Sequence, residues 1–300
     1  MDRKGKEEQI AAPSNSYFWP KISPDGTRMA LTVSDASANV DIWIWDFARG
    51  TLTRLTFDAK SAYPLWTPDG KRIVFRSSRE GNPAVYWKAA DGTGEDEKLG
   101  SVPKRALLPY SWSSDGKTMV LTESVGDKRD IVALLTEGDR ARKVLLHETQ
   151  TEATPQISPD GRWMAYVSDE SGRYEVYVRA FPEVNKGKWQ ISTSGGTFPI
   201  WSRDGRELFY RSGDAIMVLA VKTQPTFIPG KPEPLFKGVI DPWSGITSVY
   251  DFWDISTDGK RFLLVRSVES AAAASAAATP AKINIVLNFF EELKQKAPLR

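Results

Sequence analysis

The 300-residue sequence has no cysteine and a single histidine, His147. Without cysteine there is no disulfide and no thiolate metal site. One imidazole is too few for zinc or non-haem iron centres built on several histidines. A Ser-His-Asp triad would have to use His147, which follows Val144-Leu-Leu146 in a segment read as an outer strand, far from any central cleft. Neither sign of charge dominates: 40 basic residues face 38 acidic ones, for a formal net charge of +2. A nucleic-acid partner is therefore not expected, since it would need a basic patch or stripe. No run of about 18 apolar residues is present, and no apolar stretch follows the charged opening Met1-Asp-Arg-Lys-Gly-Lys-Glu-Glu8, so neither membrane insertion nor a signal peptide is read from this chain. A Gly-x-Ser-x-Gly elbow and a Gly-rich loop before a helix are missing too. No catalytic residue, metal or cofactor is expected.

What the sequence does contain is a repeat. Asp-Gly pairs begin at Asp25, Asp69, Asp115, Asp160, Asp204 and Asp258, with spacings of 44, 46, 45, 44 and 54 residues. The frame around them recurs as Pro20-Lys-Ile-Ser-Pro-Asp-Gly26, Pro64-Leu-Trp-Thr-Pro-Asp-Gly70 and Pro155-Gln-Ile-Ser-Pro-Asp-Gly161, with close variants in the other three. Asp-Gly between β-formers marks a hairpin, because glycine accepts φ > 0 and aspartate bonds its own backbone. Each repeat reads as four short strands, several almost wholly apolar, as in Met164-Ala-Tyr-Val167 and Ile42-Trp-Ile-Trp45. Such strands are buried on both faces. Four-stranded units recurring every 40–45 residues or so predict an all-β propeller of four-stranded antiparallel blades, six by the count of turns.

The sixth repeat supplies three strands only: Phe252-Trp-Asp-Ile255, Phe262-Leu-Leu-Val265 and Ile283-Asn-Ile-Val-Leu287. Its outer strand is expected from the N-terminus, at about residues 7–12, where Glu8-Gln-Ile-Ala11 resembles Glu97-Lys-Leu-Gly100. That closure would remove the open edges of a linear array. One propeller domain is thus expected over residues 1–288. An Ala-rich stretch, Ser270–Pro280, interrupts the last repeat, and residues 289–300 are expected as a short C-terminal helix or tail.

The Ser-Pro-Asp-Gly-Lys/Arg turn resembles that of the TolB-like six-bladed β-propeller family, over roughly residues 8 to 288. Within the family, Asp41-Ile-Trp-Ile-Trp-Asp46, Ser171–Val178 and Ile285–Leu293 look most like propeller regions of bacterial multidomain proteins, sensor-type kinases among them. The resemblance implies a periplasmic or extracytoplasmic setting and a place within a larger protein. It says little about activity, because function lives in sites grafted on folds.

Six residues before each Asp, at the entry of the inner strand, stand Trp19, Tyr63, Pro109, Thr154, Phe198 and Phe252, with Tyr110 and Trp253 beside them. These residues either fill the taper between blades or form an aromatic rim for a ligand. Loops bearing Arg79 and Arg173 bring mixed charge to the same end. Asp251 and Asp254 lie near the start of the last inner strand, as structural residues or as ligands of a central cation. Trp66, Trp112 and Trp201 read as core. The expected function is a noncatalytic scaffold that binds a protein or peptide at this face and channel mouth, through Trp19, Tyr63, Tyr110, Phe198, Asp251, Trp253, Asp254, Arg79 and Arg173. A small-molecule or sugar ligand is the variant of that reading. The alternative is a carboxylate-dependent hydrolase or lyase acting on a sugar or ester there, drawing on Glu80, Asp127, Asp169, Glu170, Asp214, Asp251 and Asp254.

Overall fold

The computed structural model describes residues 1–238, 252–268 and 282–283. The first blade is β1 (Ser16–Ile22), β2 (Arg28–Ser34), β3 (Val40–Asp46) and β4 (Thr51–Arg54). The second is β5 (Ser61–Trp66), β6 (Arg72–Ser77), β7 (Ala84–Ala89) and β8 (Glu97–Ser101); the third is β9 (Ala106–Trp112), β10 (Thr118–Val125), β11 (Lys128–Leu135) and β12 (Arg142–Leu146). The fourth is β13 (Glu152–Ile157), β14 (Trp163–Ser168), β15 (Glu175–Ala180) and β16 (Lys188–Gln190). In the fifth, β17 (Thr197–Trp201), β18 (Glu207–Ser212) and β19 (Ala215–Lys222) are followed by β20 (Ile228–Pro229) and β21 (Glu233–Phe236), which both pair with β19. All strand pairs are antiparallel neighbours in sequence order, apart from that shared edge.

Six complete blades were expected; among the described residues five are complete and the sixth is partial. It consists of the hairpin β22 (Trp253–Ile255) and β23 (Phe262–Leu264), with a two-residue pairing of β24 (Ser267–Val268) and β25 (Lys282–Ile283) beyond it. The expected strand over Ile283–Leu287 lies outside the described residues after its first residue, as do the Ala-rich stretch over 270–280 and the tail over 289–300.

Residues 7–12, expected as an outer strand, form none. The pairing is made further upstream: Met1 and Phe262 exchange main-chain hydrogen bonds of 2.8 and 2.9 Å, and Asp2 bridges Arg261. Since Phe262 faces Ile255 of β22 on its other side, Met1 lies along the edge that a third strand would use. The N-terminal arm then fastens by side chains. Arg3 pairs with Glu207 of the fifth blade and donates to the Gly259 carbonyl, Glu7 pairs with Arg266, and Ile10 and Ala12 pack on the seam between the sixth and first blades.

The apolar runs produce one cluster at each junction between successive blades. One such seam holds Trp163, Val176 and Ile191 of the fourth blade against Trp201, Leu208 and Phe227 of the fifth. Another sets Tyr17, Met29 and Leu31 of the first blade against Phe252, Leu263 and Val265 of the sixth, and so closes the circle. Burial on both faces explains why β14, Trp-Met-Ala-Tyr-Val-Ser, is buried at every position.

The six hairpin turns are built alike. A Ser or Thr two before the Asp donates to its carboxylate, as Ser158 does to Asp160 at 2.6 Å; the same carboxylate accepts the amide two residues on. The Ser158 hydroxyl also accepts the amide of Trp163 at 3.0 Å. This bonding holds the carboxyl of Asp25, Asp69, Asp115 and Asp204 below the usual carboxylate range, chiefly through the hydroxyl. Gly161 sits at φ +71°, and a methyl group there would stand 2.3 Å from the Ser114 hydroxyl of the preceding blade's turn. Gly161→Ala is therefore expected to cost about 2 kcal/mol, from the left-handed backbone and the forced shift of Ser114, measurable as a lower urea midpoint at unchanged slope.

Candidate functional site

The inner strands β1, β5, β9, β13, β17 and β22 surround a channel, and the repeat assigns each position on them a role. The residue four before each Asp faces the channel: Lys21, Leu65, Ser111, Gln156, Ile200 and Asp254. The next residue, Ile22, Trp66, Trp112, Ile157, Trp201 or Ile255, forms the wall. Together with Pro24, Pro68, Ser114, Pro159 and Arg203 at the turns, these residues enclose a cavity of about 360 Å³ in the half of the channel nearest the Asp-Gly turns.

The wall is stitched by side chains that reach back one blade. Trp66 Nε1 donates to the Lys21 carbonyl at 2.8 Å, Trp112 Nε1 to the Trp66 carbonyl at 2.8 Å, and Trp201 Nε1 to the Gln156 carbonyl at 2.9 Å. In the fourth blade, where isoleucine stands in the indole position, Gln156 Nε2 donates to the Tyr110 carbonyl at 3.2 Å and the Ile157 amide donates to Ser111 Oγ at 3.0 Å. Asp254 performs the corresponding task at the closing junction, accepting the Ile22 amide at 2.7 Å and its neighbour Ile255's amide at 2.9 Å. The indoles that read as core are thus core and cavity wall at once. Their N–H groups are committed to the backbone, so they offer a ligand apolar surface.

The strand-entry aromatics lie at the opposite end. Trp19, Tyr63 and Tyr110 share one cluster with Ala62 and Leu108, and the Trp19 and Tyr63 rings stack with centroids 3.8 Å apart. Phe198 and Trp253 belong instead to the seam between the fifth and sixth blades. Trp19, Tyr63 and Phe198 are only 7%, 8% and 6% exposed. Each adopts a positive φ, of 49°, 60° and 52°, as does Thr154 at 52°. All four precede a proline and coincide with a register shift in the ladder to the second strand. A proline cannot donate to that ladder, and the bulge re-aims the strand at the cost of a strained residue, about 1–3 kcal/mol each. The strain recurs at one level of the channel in four blades.

The arginines expected at this face are tied within their own neighbourhoods. Arg79 lies between Asp58 and Asp96, beside Lys88 and over the rings of Phe75 and Tyr86. Arg173 pairs with Glu175 at 2.7 Å and with the Thr193 carbonyl. Asp251 lies outside the described residues. The carboxylates considered for hydrolysis are scattered: Glu80 pairs with Lys98, Glu170 with Lys188, and Asp169 accepts the Thr151 amide. Among the described residues no three His, Asp or Glu side chains are grouped to hold a metal ion, and no helix is long and apolar enough to cross a membrane. Of the channel-facing ring four before each Asp, the sequence singled out Asp254 alone, although the same register that located the positions three and six before it would have found the rest.

Comparison with known proteins agrees with this architecture. The chain is 29% identical over 207 residues to the uncharacterized peptidase YuxL of Bacillus subtilis, an alignment of 53% of this chain and 31% of that protein. It is 27% identical over 173 residues to the Tol-Pal system protein TolB of Francisella tularensis, covering 57% of this chain and 39% of that one. The chain therefore spans about a third of the length of these curated relatives. Among solved structures, a TolB-like protein from Agrobacterium tumefaciens superposes with a TM-score of 0.60 at 19% identity, over 75% of this chain and 84% of that one. An oligogalacturonate lyase in complex with manganese also gives 0.60, at 14% identity over 92% and 90%. Residues 3–98 match the family profile described as the TolB beta propeller domain. Residues 3–98 thus resemble a TolB beta propeller domain in sequence, and the chain shares the β-propeller fold of these solved structures.

Proposed function

We propose that this protein is a noncatalytic binding scaffold that takes a protein or peptide ligand in its propeller channel. The cavity of about 360 Å³ beside Trp66, Trp112 and Trp201 carries this reading. It is concave, and its apolar wall of indoles and isoleucines alternates with a comparable share of polar surface from Lys21, Ser111, Gln156, Arg203 and Asp254, so it offers a ligand both kinds of contact. A cation and an anion, Lys21 and Asp254, stand at neighbouring places in the channel ring, with the Ser111 hydroxyl and the Gln156 amide further round. Mixed polarity of this kind suits a polypeptide, with its paired donors and acceptors, better than a polyanion. The wider face of the proposal is the far end of the same channel, with Trp19, Tyr63, Phe198 and Trp253 and the loops of Arg79 and Arg173; Tyr110 and Asp254 line the cavity itself, and Asp251, outside the described residues, is proposed for the same site. The similarity to a Tol-Pal system protein supports a protein partner and an extracytoplasmic setting.

The test is capture from cell extract and envelope fractions, followed by titration of the captured ligand against the chain and two variants. Arg203→Glu reverses a charge on the cavity without touching a buried residue or a bond of the wall; a loss of at least tenfold in affinity, with an unchanged unfolding curve, is expected. The triple change Trp19→Ala, Tyr63→Ala and Phe198→Ala alters the opposite end and, since all three are buried, is read together with its stability. Undiminished affinity in the first variant would move the site away from the turn-side cavity. A sugar or other small molecule as the captured species would replace the polypeptide in this reading.

A further inference from the structure

The seam between the third and fourth blades differs from the others in what it buries. In the first blade, Thr56, just after the outer strand, donates to Asp41 at 2.7 Å and accepts the Ile42 amide at 2.9 Å. In the fourth, Ser192 donates to Glu175 and accepts the Val176 amide at 2.8 Å. The equivalent pair in the third blade is His147 and Asp130, with Nδ1 of the imidazole 2.8 Å from Asp130 Oδ2. The imidazole leaves the other oxygen, Asp130 Oδ1, buried without a hydrogen bond. Across the seam, at the entry of β13, Glu152 is 1% exposed; no side chain bonds its carboxylate, and the Glu148 amide is the one backbone donor that acts on it.

The charged groups around Glu152 do not offset it. From β11 come Asp130 and Lys128, whose ammonium lies 3.9 Å from Asp130 Oδ1. From the segment after β12 come His147 and Glu148; Glu148 pairs with Arg179 of β15 at 2.5 Å, and Arg179 in turn donates to the Tyr166 hydroxyl of β14 at 2.9 Å. On β10, Glu123 is occupied by Arg105 and Arg142 at 2.5 and 2.6 Å. Lys128 and Arg179 are thus turned toward other carboxylates. A carboxylate in this position is costly, and a neutral carboxylic acid is tolerated.

We propose that this seam is a proton-controlled joint: with Glu152 protonated, the entry of β13 stays docked on β10 and β11, and when Glu152 ionises the connection from His147 to Ile157 loosens. Burial, opposed in part by the Glu148 amide and Lys128 and reinforced by the charges of Glu148 and Asp130, pushes the Glu152 carboxyl up to about 7, which sets the joint to act near neutrality. Two residues further along β13 is Thr154, one of the strained bulge residues at the channel entrance, so the joint acts directly on the channel's shape. The argument does not depend on what the channel binds.

The experiment is amide hydrogen exchange on the full chain at pH 5.5, 7 and 8.5, with rates normalised for intrinsic exchange. Peptides covering 147–157 are expected to exchange more than tenfold faster at pH 8.5 than at pH 5.5, while the strands of the first two blades stay within twofold. In Glu152→Gln that contrast should vanish, whereas in His147→Asn it should persist. A pH response that survives Glu152→Gln, or none in the parent chain, would overturn the joint. A second readout needs no variant: the ¹³C resonance of the Glu152 carboxyl is expected to titrate near 7, and a midpoint between 4 and 5 would equally overturn it.

Discussion

Phe262→Ala is expected to lower the stability of the ring by about 4 kcal/mol, one of the largest losses for a single truncation in this chain. The ring of Phe262 is fully buried and meets Phe236 at 5.0 Å and Phe209 at 5.4 Å edge-on, with Trp253 stacked at 6.3 Å. Those neighbours come from both the fifth and sixth blades, so the cavity left behind opens in the seam between them. The same residue's amide and carbonyl hold Met1, whose side chain is buried in that cluster. Collapse around the lost ring is hindered because the surrounding aromatics are held by the strands on either side. Chemical denaturation followed by tryptophan fluorescence measures the loss directly. A change below about 1 kcal/mol would mean that the fifth and sixth blades are not packed as described.

Glu152→Gln should raise stability in alkaline solution and leave it nearly unchanged in acid. The ordinary glutamate value is 4.5 and the folded protein holds this carboxyl at about 7, principally by burial. Below 4.5 the group is protonated whether the chain is folded or not, and it makes no difference to stability. Between 4.5 and 7 the unfolded chain releases the proton and the folded one retains it, so stability falls as pH rises. Above 7 the loss is complete, at about 3 kcal/mol for an interval of this width, given 1.36 kcal/mol per pH unit. Glutamine has the same shape and no charge, and removes that loss. Urea midpoints at pH 4, 6 and 8.5 should therefore coincide at the first pH and diverge progressively, the variant being the more stable. Parallel curves for parent and variant would contradict the burial of Glu152 without a side-chain partner.

Much of the fold is legible in the sequence because the determinants are local. The Asp-Gly turns, the hydroxyl two residues before each Asp and the apolar strands on either side require only their own neighbourhoods. The channel aromatics could be placed by register, but not their burial: whether Trp19 shows its face to a ligand depends on Tyr63, from the next blade, stacking on it. The pairing of the arginines was hidden for a similar reason. Arg79 was expected to look outward, yet Asp58 and Asp96, which hold it, come from segments before and after its hairpin. The N-terminal strand was expected at 7–12 because of a short resemblance to other outer strands; the contacts that tether the arm, Met1 to Phe262 and Arg3 to Glu207, join residues more than 200 positions apart. Glu152 was invisible for the same cause. Nothing beside it in the chain distinguishes it from a solvated glutamate at the head of a strand, and only the facing blade seals it.

The stitching of the channel wall has a bearing on how such a chain grows. In each junction described, taken round the ring, a blade donates to the one before it, from Trp66 onto Lys21 through to the closing bond of Ile22 in the first blade onto Asp254 in the sixth. A tandem copy of one repeat would bring its own donor and present its own acceptor, and both neighbours would find the partner they had before. Lengthening by duplication thus needs no compensating change in the units on either side. The exception is Asp254, where an accepting carboxylate stands in a ring otherwise closed by carbonyls and a hydroxyl. It marks the place where copying stops and the two ends of the series must recognise each other.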